Sequence, residues 1–193
     1  MTIDFFVHPQ HLETKGIYKY PKIMKSYGKY FQHLLYNLET SNLPILIKGR
    51  GDTFFEMEIP SENQFSSNNC GEISSSEEWE KFTKLLKGRE PDEMKINGSY
   101  FGQCARNFAL QLFTYLKTGE NLFPEDDFDG LSRVKTQREC QHFGDFARSN
   151  IKYGVVLHYH KNKSILKEFI SFNKSPFGNV NRQLVDSQTR IYF

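Results

Sequence analysis

Apolar and polar positions recur along the chain with two periods, which separate predicted helices from predicted strands. The strongest helical period lies within residues 103–117, where apolar side chains return every three or four positions. These positions are Ala105, Phe108, Ala109, Leu112, Phe113 and Leu116. Gly119 follows as a helix stop. A second amphipathic helix is predicted to begin after Pro21 and to end near Ser41.

Short apolar runs predict the strands. Thr2–Val7 and Leu43–Lys48 are nearly continuous in apolar residues, as is typical of strands that are buried on both faces. Glu93–Asn97 and Gly154–Tyr159 are predicted as two further strands. Thr53–Ile59 alternates loosely between apolar and polar residues, and we predict another strand there.

Residues 61–76 are rich in serine and asparagine, which predicts a surface loop or a mobile lid. Ser75 and Glu78 then form a capping-box pair at the start of a helix that ends at Gly88. In the second half, residues 136–149 are predicted as a helix and residues 190–193 as a terminal strand. Residues 163–172 fit either type of element.

The alternation of strands and helices predicts the fold class. It favours a single α/β domain over residues 1–193, a three-layer Rossmann-like sandwich with a mostly parallel sheet. A chain of 193 residues is long enough for one sizeable core.

Composition narrows the functional classes. The formal net charge is only +2, so the overall charge gives no indication of a nucleic-acid partner. Three cysteines without a CxxC pair argue against a disulfide framework and for a reducing compartment. Neither a membrane-spanning run nor a signal pattern is present, so we expect a soluble, cytoplasmic protein. No cofactor is predicted, because Gly49–Asp52 lacks the motif of a phosphate-binding loop.

Cys104 is the first candidate for chemistry. It falls in the first turn of the predicted helix, where unpaired N–H groups and the helix dipole favour a thiolate. Cys104 is preceded by a predicted strand and by a turn bounded by Gly98 and Gly102. A strand, turn and helix that present a cysteine in this way can form a nucleophile. The backbone N–H groups of Gln103 and Cys104 would then stabilise an oxyanion. The alternative is that Cys104 is a buried small apolar residue.

The segment from Gly98 to Cys104, GSYFGQC, resembles the strand–turn–helix segment of the isochorismatase-like cysteine hydrolases. The order of elements is also similar over residues 2–117, with an aspartate in the first strand and a proline in the second. The resemblance implies a hydrolase that acts on a small amide or ester.

The resemblance also implies a triad. Asp4 would be the general base, Cys104 the nucleophile, and Lys48 the group between them. His8 follows the first strand, at the end of the sheet where ligands bind in open α/β folds, and is predicted with Gly102 and Gln103 to contact the substrate. Phe6 stands where the family usually has glutamine, and Tyr100, Phe101 and Gly102 replace the small or β-branched residues usual near the oxyanion turn. These departures suggest a distant relative with altered chemistry or a fold mate that has lost it. The bulky pair Tyr100 and Phe101 motivates the alternative, a non-catalytic binding or assembly module on the same scaffold.

Three weaker readings remain open. His158 and His160 share one face of a strand and would hold a metal only with further ligands, which the spacing does not supply, so no metal site is predicted. Four tyrosines lie close to lysines in the sequence, a pattern that resembles a surface for stacking on single-stranded nucleic acid. They are Tyr18, Tyr20, Tyr27 and Tyr30. Subunit pairing is common among α/β hydrolytic folds and leaves a homo-oligomer open.

Overall fold

A computed structural model describes residues 1–10, 21–68, 71–100, 104–121, 152–160 and 165–174. It shows an α/β fold built on a six-stranded sheet. The strands are β1 (Thr2–Val7), β2 (Leu43–Lys48), β3 (Gln64–Ser66), β4 (Glu93–Tyr100), β5 (Lys152–His160) and β6 (Ile165–Lys174). The helices are α1 (Pro21–Thr40), α2 (Thr53–Glu58), α3 (Ser76–Leu86) and α4 (Arg106–Thr118).

The sheet has the order β3-β2-β1-β4-β5-β6. The strands from β1 to β4 run parallel to their neighbours, whereas β5 and β6 are antiparallel. The chain builds β2 and β3 on one side of β1 and then crosses to the other side for β4. The strand order therefore reverses between β1 and β4, and in open α/β sheets ligands bind beyond the carboxyl ends of the strands at such a point.

Apolar side chains cover both faces of the sheet, and β1 shows how they are divided. Because alternate side chains of a strand point to opposite faces, Phe5 joins one cluster and Phe6 the other. The cluster around Phe5 includes residues of α3 and α4. The cluster around Phe6 includes Tyr30 and Leu34 of α1 and Phe55 of α2.

The structure confirms the predicted bounds of β1 and β2 and the helix that starts at Pro21. The cap of α3 is also confirmed, since the Ser75 hydroxyl accepts a hydrogen bond from the backbone N–H of Glu78 at 3.4 Å. Helix α4 ends as predicted at Gly119, which adopts the left-handed conformation that glycine tolerates.

Two predictions between residues 53 and 76 are wrong. Thr53–Glu58 is a helix rather than a strand, because Phe55 and Ile59, four positions apart, are both buried on one side. Ser61–Asn63 forms a short 3₁₀ helix and Gln64–Ser66 an edge strand, where a loop or lid was predicted. The edge strand is fixed by Phe65, which is buried between β2 and α3.

Strand β4 extends to Tyr100 and so includes part of the predicted turn. Of the two alternatives for residues 163–172, a strand is observed as β6. The predicted helix over residues 136–149, the terminal strand over residues 190–193, and the site residues Gly102 and Gln103 lie outside the described residues. No helix in the described part of the chain is long and apolar enough to cross a membrane.

Candidate functional site

Polar side chains gather where β1, β2 and β3 end. His8 directly follows β1, Gly49 and Asp52 follow β2, and Ser67 follows β3. His8 and Asp52 are buried, with exposed fractions of 2% and 1%. The carboxyl ends of these parallel strands meet at one edge of the sheet, which we call the carboxyl edge.

The imidazole of His8 crosses the end of β2 to reach the segment after β3. Its Nε2 atom lies 2.7 Å from the Ser67 hydroxyl oxygen. Since β2 lies between β1 and β3, the ring must pass over the β2 terminus, and Gly49 leaves the room for it. A Cβ atom at Gly49 would lie only 2.6 Å from Cδ2 of His8.

His8 has a backbone φ of 47°, and it is the only described non-glycine residue with a positive φ. That conformation is uncommon for a residue with a side chain and costs free energy, although histidine tolerates it better than most residues. The hydrogen bond from the His8 N–H to the Ile47 carbonyl, at 3.1 Å, helps to hold it. The structure therefore places a buried and backbone-strained imidazole where His8 was predicted to contact a ligand.

Asp52 ties the segment after β1 to the segment after β2. Its carboxylate accepts hydrogen bonds from the backbone N–H of Gly49 at 2.6 Å and of Gln10 at 3.0 Å. The side-chain oxygen of Gln10 in turn accepts from the N–H of Phe54 at 2.8 Å. These bonds fix the Gln10 end of the turn that carries His8.

Burial raises the pKa of Asp52 from an ordinary 3.8 to about 6, and Glu56 adds to the increase. The N–H groups of Gln10 and Gly49 and the ammonium of Lys48 act in the opposite direction. Between these two pH values the folded chain binds more protons at Asp52 than the unfolded chain does. The free energy of unfolding must then fall as the pH rises through this window.

We expect this loss to be about 3 kcal/mol between pH 4 and pH 7, since each pH unit of such a window contributes about 1.4 kcal/mol. An Asp52→Asn variant cannot titrate at this position, so its stability should lose that component of the pH dependence. Urea unfolding of both proteins at pH 4, 5, 6 and 7 measures the difference. Because Asp4 titrates in both proteins, its contribution cancels. If the plots of unfolding free energy against pH are parallel for the two proteins, the raised pKa of Asp52 is contradicted.

Cys104 packs on the face of the sheet that α3 and α4 cover. The residue is 1% exposed and belongs to the apolar cluster around Phe5. The backbone of Gly71 is pressed against it, because a Cβ atom at Gly71 would lie 2.8 Å from the carbonyl oxygen of Cys104 and 2.9 Å from its Cα atom. Cys104 is thus enclosed in the core on this face.

Asp4 faces the opposite side, toward α1. Its Oδ1 atom accepts a hydrogen bond from the Asn97 amide at 3.3 Å, and the Oδ1 atom of Asn97 accepts from Asn37 of α1 at 2.7 Å. Burial raises the pKa of Asp4, and Lys95, Ser41, Asn97 and His158 offset part of the increase. Asp4 thus belongs to a buried polar network that joins β1, β4 and α1.

Lys48 forms an ion pair with α2. Its ammonium is 3.2 Å from the carboxylate of Glu56, and both side chains are partly exposed. An ion pair of this kind contributes about 0–1 kcal/mol. Side-chain alternation directs Asp4 and Lys48 toward the face covered by α1 and α2, whereas Cys104 belongs to the cluster on the other face. The triad of Asp4, Lys48 and Cys104 stays a prediction.

Three polar residues of the described chain were not singled out from the sequence. Asn97 interrupts the apolar pattern of β4, and its partner Asn37 falls on the apolar stripe of α1, seven positions after Tyr30. Those interruptions were the available signal. Ser67, one of several serines in a polar stretch, gave no such signal. Its role depends on the pairing of β3 with β2.

The structure also describes several residues of the two weaker hypotheses, a metal site at the histidines and a stacking surface at the tyrosines. His158 and His160 each approach a different oxygen of Glu93, with Nε2–O distances of 3.6 Å. No group of three His, Cys, Asp or Glu side chains in the described residues is arranged to hold a metal. Tyr30 is 1% exposed and belongs to the core, not to a stacking surface. Tyr18 and Tyr20 are not among the described residues.

Comparison with known proteins gives no identification. The chain matches no protein family, no curated protein and no solved structure. The function can therefore be inferred only from the residues of this chain.

Proposed function

We propose that this protein is a binding domain for a small polar molecule, with the ligand at the carboxyl edge beside His8. The scaffold would be a three-layer, Rossmann-like sandwich, and binding itself needs no bond to be broken. The proposal keeps the predicted position of a ligand contact at His8 and does not use the thiol triad.

One observation carries the proposal: His8 is buried and strained, and it directly follows β1, one of the two strands between which the strand order reverses. A residue in a sparsely populated backbone region costs about 1–3 kcal/mol and persists only where its surroundings fix it, often at a ligand site. Here Asp52 and Gln10 fix the turn, and Gly49 clears the space for the ring.

The proposal is tested with a fragment library of small amides, esters and carboxylates, screened by ¹H–¹⁵N correlation spectra of the full chain. A binding fragment should shift the backbone signals of residues 8–10, 49–52 and 66–68. The signals of α1 at its exposed positions should stay in place. Fragments that bind only elsewhere, or no binding fragment at all, would refute the proposal.

A matched pair of glycine variants makes the test sharper. Gly49→Ala places a methyl group against the His8 ring, whereas a Cβ atom at the helical Gly28 would meet nothing within 4 Å. We expect Gly49→Ala to weaken fragment binding by about tenfold or more, which corresponds to about 1.4 kcal/mol. Gly28→Ala should bind fragments as the unmodified chain does.

Hydrolysis by Cys104 stays a prediction and is the second candidate. The position of the cysteine favours it, since Cys104 comes shortly after β4 and directly before α4. Its enclosure by the apolar cluster argues against it. If the fragment shifts centre on Cys104, and if Cys104→Ala abolishes hydrolysis of a bound ester, the thiol mechanism replaces the proposal made here.

A further inference from the structure

We propose that Ser67 and His8 form a nucleophile–base pair that transfers the acyl group of a small ester or amide. This inference rests on the proposed ligand site and names the class of molecule that it would accept. The pair is independent of Cys104, and its two members come from segments separated by 59 positions in the chain.

The distance between the two groups suits proton transfer. A general base must lie about 2.6–3.2 Å from the atom whose proton it removes, and His8 Nε2 lies 2.7 Å from the Ser67 oxygen. The Ser67 hydroxyl also lies 3.1 Å from the carbonyl oxygen of Lys48. One hydroxyl proton serves only one of these acceptors at a time. When Nε2 carries no proton, it accepts the hydrogen bond from the Ser67 hydroxyl in the shorter contact. The imidazole is then placed to act as the base that activates the serine.

The proposed reaction is balanced by these two side chains and water. The Ser67 oxygen attacks the carbonyl carbon of the substrate while its proton moves to His8 Nε2. The bond from that carbon to the leaving oxygen or nitrogen breaks, and the proton passes from Nε2 to the leaving group. Water then attacks the acyl-serine, gives one proton to Nε2, and the proton returns to Ser67 as the acid is released.

The surroundings position the base and leave the nucleophile accessible. The His8 ring is buried. The backbone around His8 is fixed by two hydrogen bonds, from the His8 N–H to the Ile47 carbonyl and from the Gln10 N–H to the Asp52 carboxylate. Ser67 is only partly buried. A substrate therefore meets the hydroxyl first, and its leaving group must approach Nε2 to take the proton.

The test is covalent labelling of the full chain with a fluorophosphonate probe. The Ser67 oxygen would bond to phosphorus, fluoride would leave, and the hydroxyl proton would go to His8. Peptide mass spectrometry should find the adduct on Ser67. We expect the rate to fall by about a hundredfold or more in His8→Asn, the lower range for loss of a general base. Asparagine tolerates a positive φ, so the turn is retained.

The neighbouring serine supplies the matched control. Ser66 is exposed and its backbone N–H bonds to Glu78 at 2.8 Å. Ser66→Ala should be labelled at the normal rate, whereas Ser67→Ala should lose the adduct. In the unmodified chain the rate should rise with pH over the range in which an imidazole loses its proton. In His8→Asn that rise should be absent, and circular dichroism confirms that the variant is folded.

Two results would overturn the inference: labelling of Ser67 no faster than in the urea-unfolded chain, or a rate that His8→Asn leaves unchanged. Either result together with fragment shifts at residues 8–10 and 49–52 would leave the binding proposal in place. Absence of both labelling and fragment shifts would remove both proposals.

Discussion

Replacing Phe5 by alanine is expected to lower the free energy of unfolding by about 4 kcal/mol, within the range for truncation of a buried phenylalanine. Phe5 is fully buried on the central strand β1. Its ring centroid lies 5.2 Å from that of Phe108 in α4 and 6.2 Å from that of Phe82 in α3. Truncation removes the group that joins both helices to the sheet and leaves a cavity between them.

Chemical denaturation at pH 7 measures this loss. Met57→Ala is the control, because Met57 is 78% exposed and its truncation should change the stability by about 0.5 kcal/mol or less. A Phe5→Ala protein within 1 kcal/mol of the unmodified chain, a margin far below the usual cost of such a cavity, would show that this aromatic cluster is not the core.

Adding one methyl group at Gly98 is expected to cost about 3 kcal/mol, at the upper end for overpacking. A Cβ atom there would lie 2.4 Å from the Cβ of Ala105 and 3.3 Å from its Cα. Carbon atoms pack best at about 3.5–4.0 Å. Neither neighbouring atom is the end of a flexible side chain, so α4 has to move away from β4.

A double-mutant cycle isolates the contact. Ala105→Gly removes the methyl group that Gly98→Ala meets, so the double variant should recover most of the stability lost by Gly98→Ala alone. The recovery appears as a coupling energy in urea unfolding of the four proteins. If the two effects simply add, α4 does not pack on Gly98 as described.

Much of the fold could be predicted, because local pattern and packing agree in β1, β2, α1 and α4. The stripe of α4 was visible because Phe108 and Leu112 are separated by one helical turn and both face the sheet. Thr53–Glu58 was misread because a helix of six residues offers only one full period. There, Phe55, Met57 and Ile59 alternate with two glutamates, which imitates the pattern of a strand.

The candidate site was harder to predict, because its geometry depends on which face of the sheet each helix covers. Right-handed crossovers place α1 and α2 on one face, and α3 on the other, since the chain changes direction along the sheet before β4. Asp4 therefore faces α1, while Cys104 packs on the side of α3. His8 was assigned to the correct edge of the sheet from its position after β1. Its partner Ser67 follows a strand that the pattern did not reveal.

The strand order also bears on how the protein is synthesised. Strand β1 pairs on one side with β4, about ninety positions later, in the register Thr2 to Glu93. Until β4 leaves the ribosome, that side of β1 has no neighbour, and its backbone groups and apolar run are open to pairing with other chains. Strand β1, which is buried from Ile3 to Val7 in the native sheet, is thus open on one side in the nascent chain.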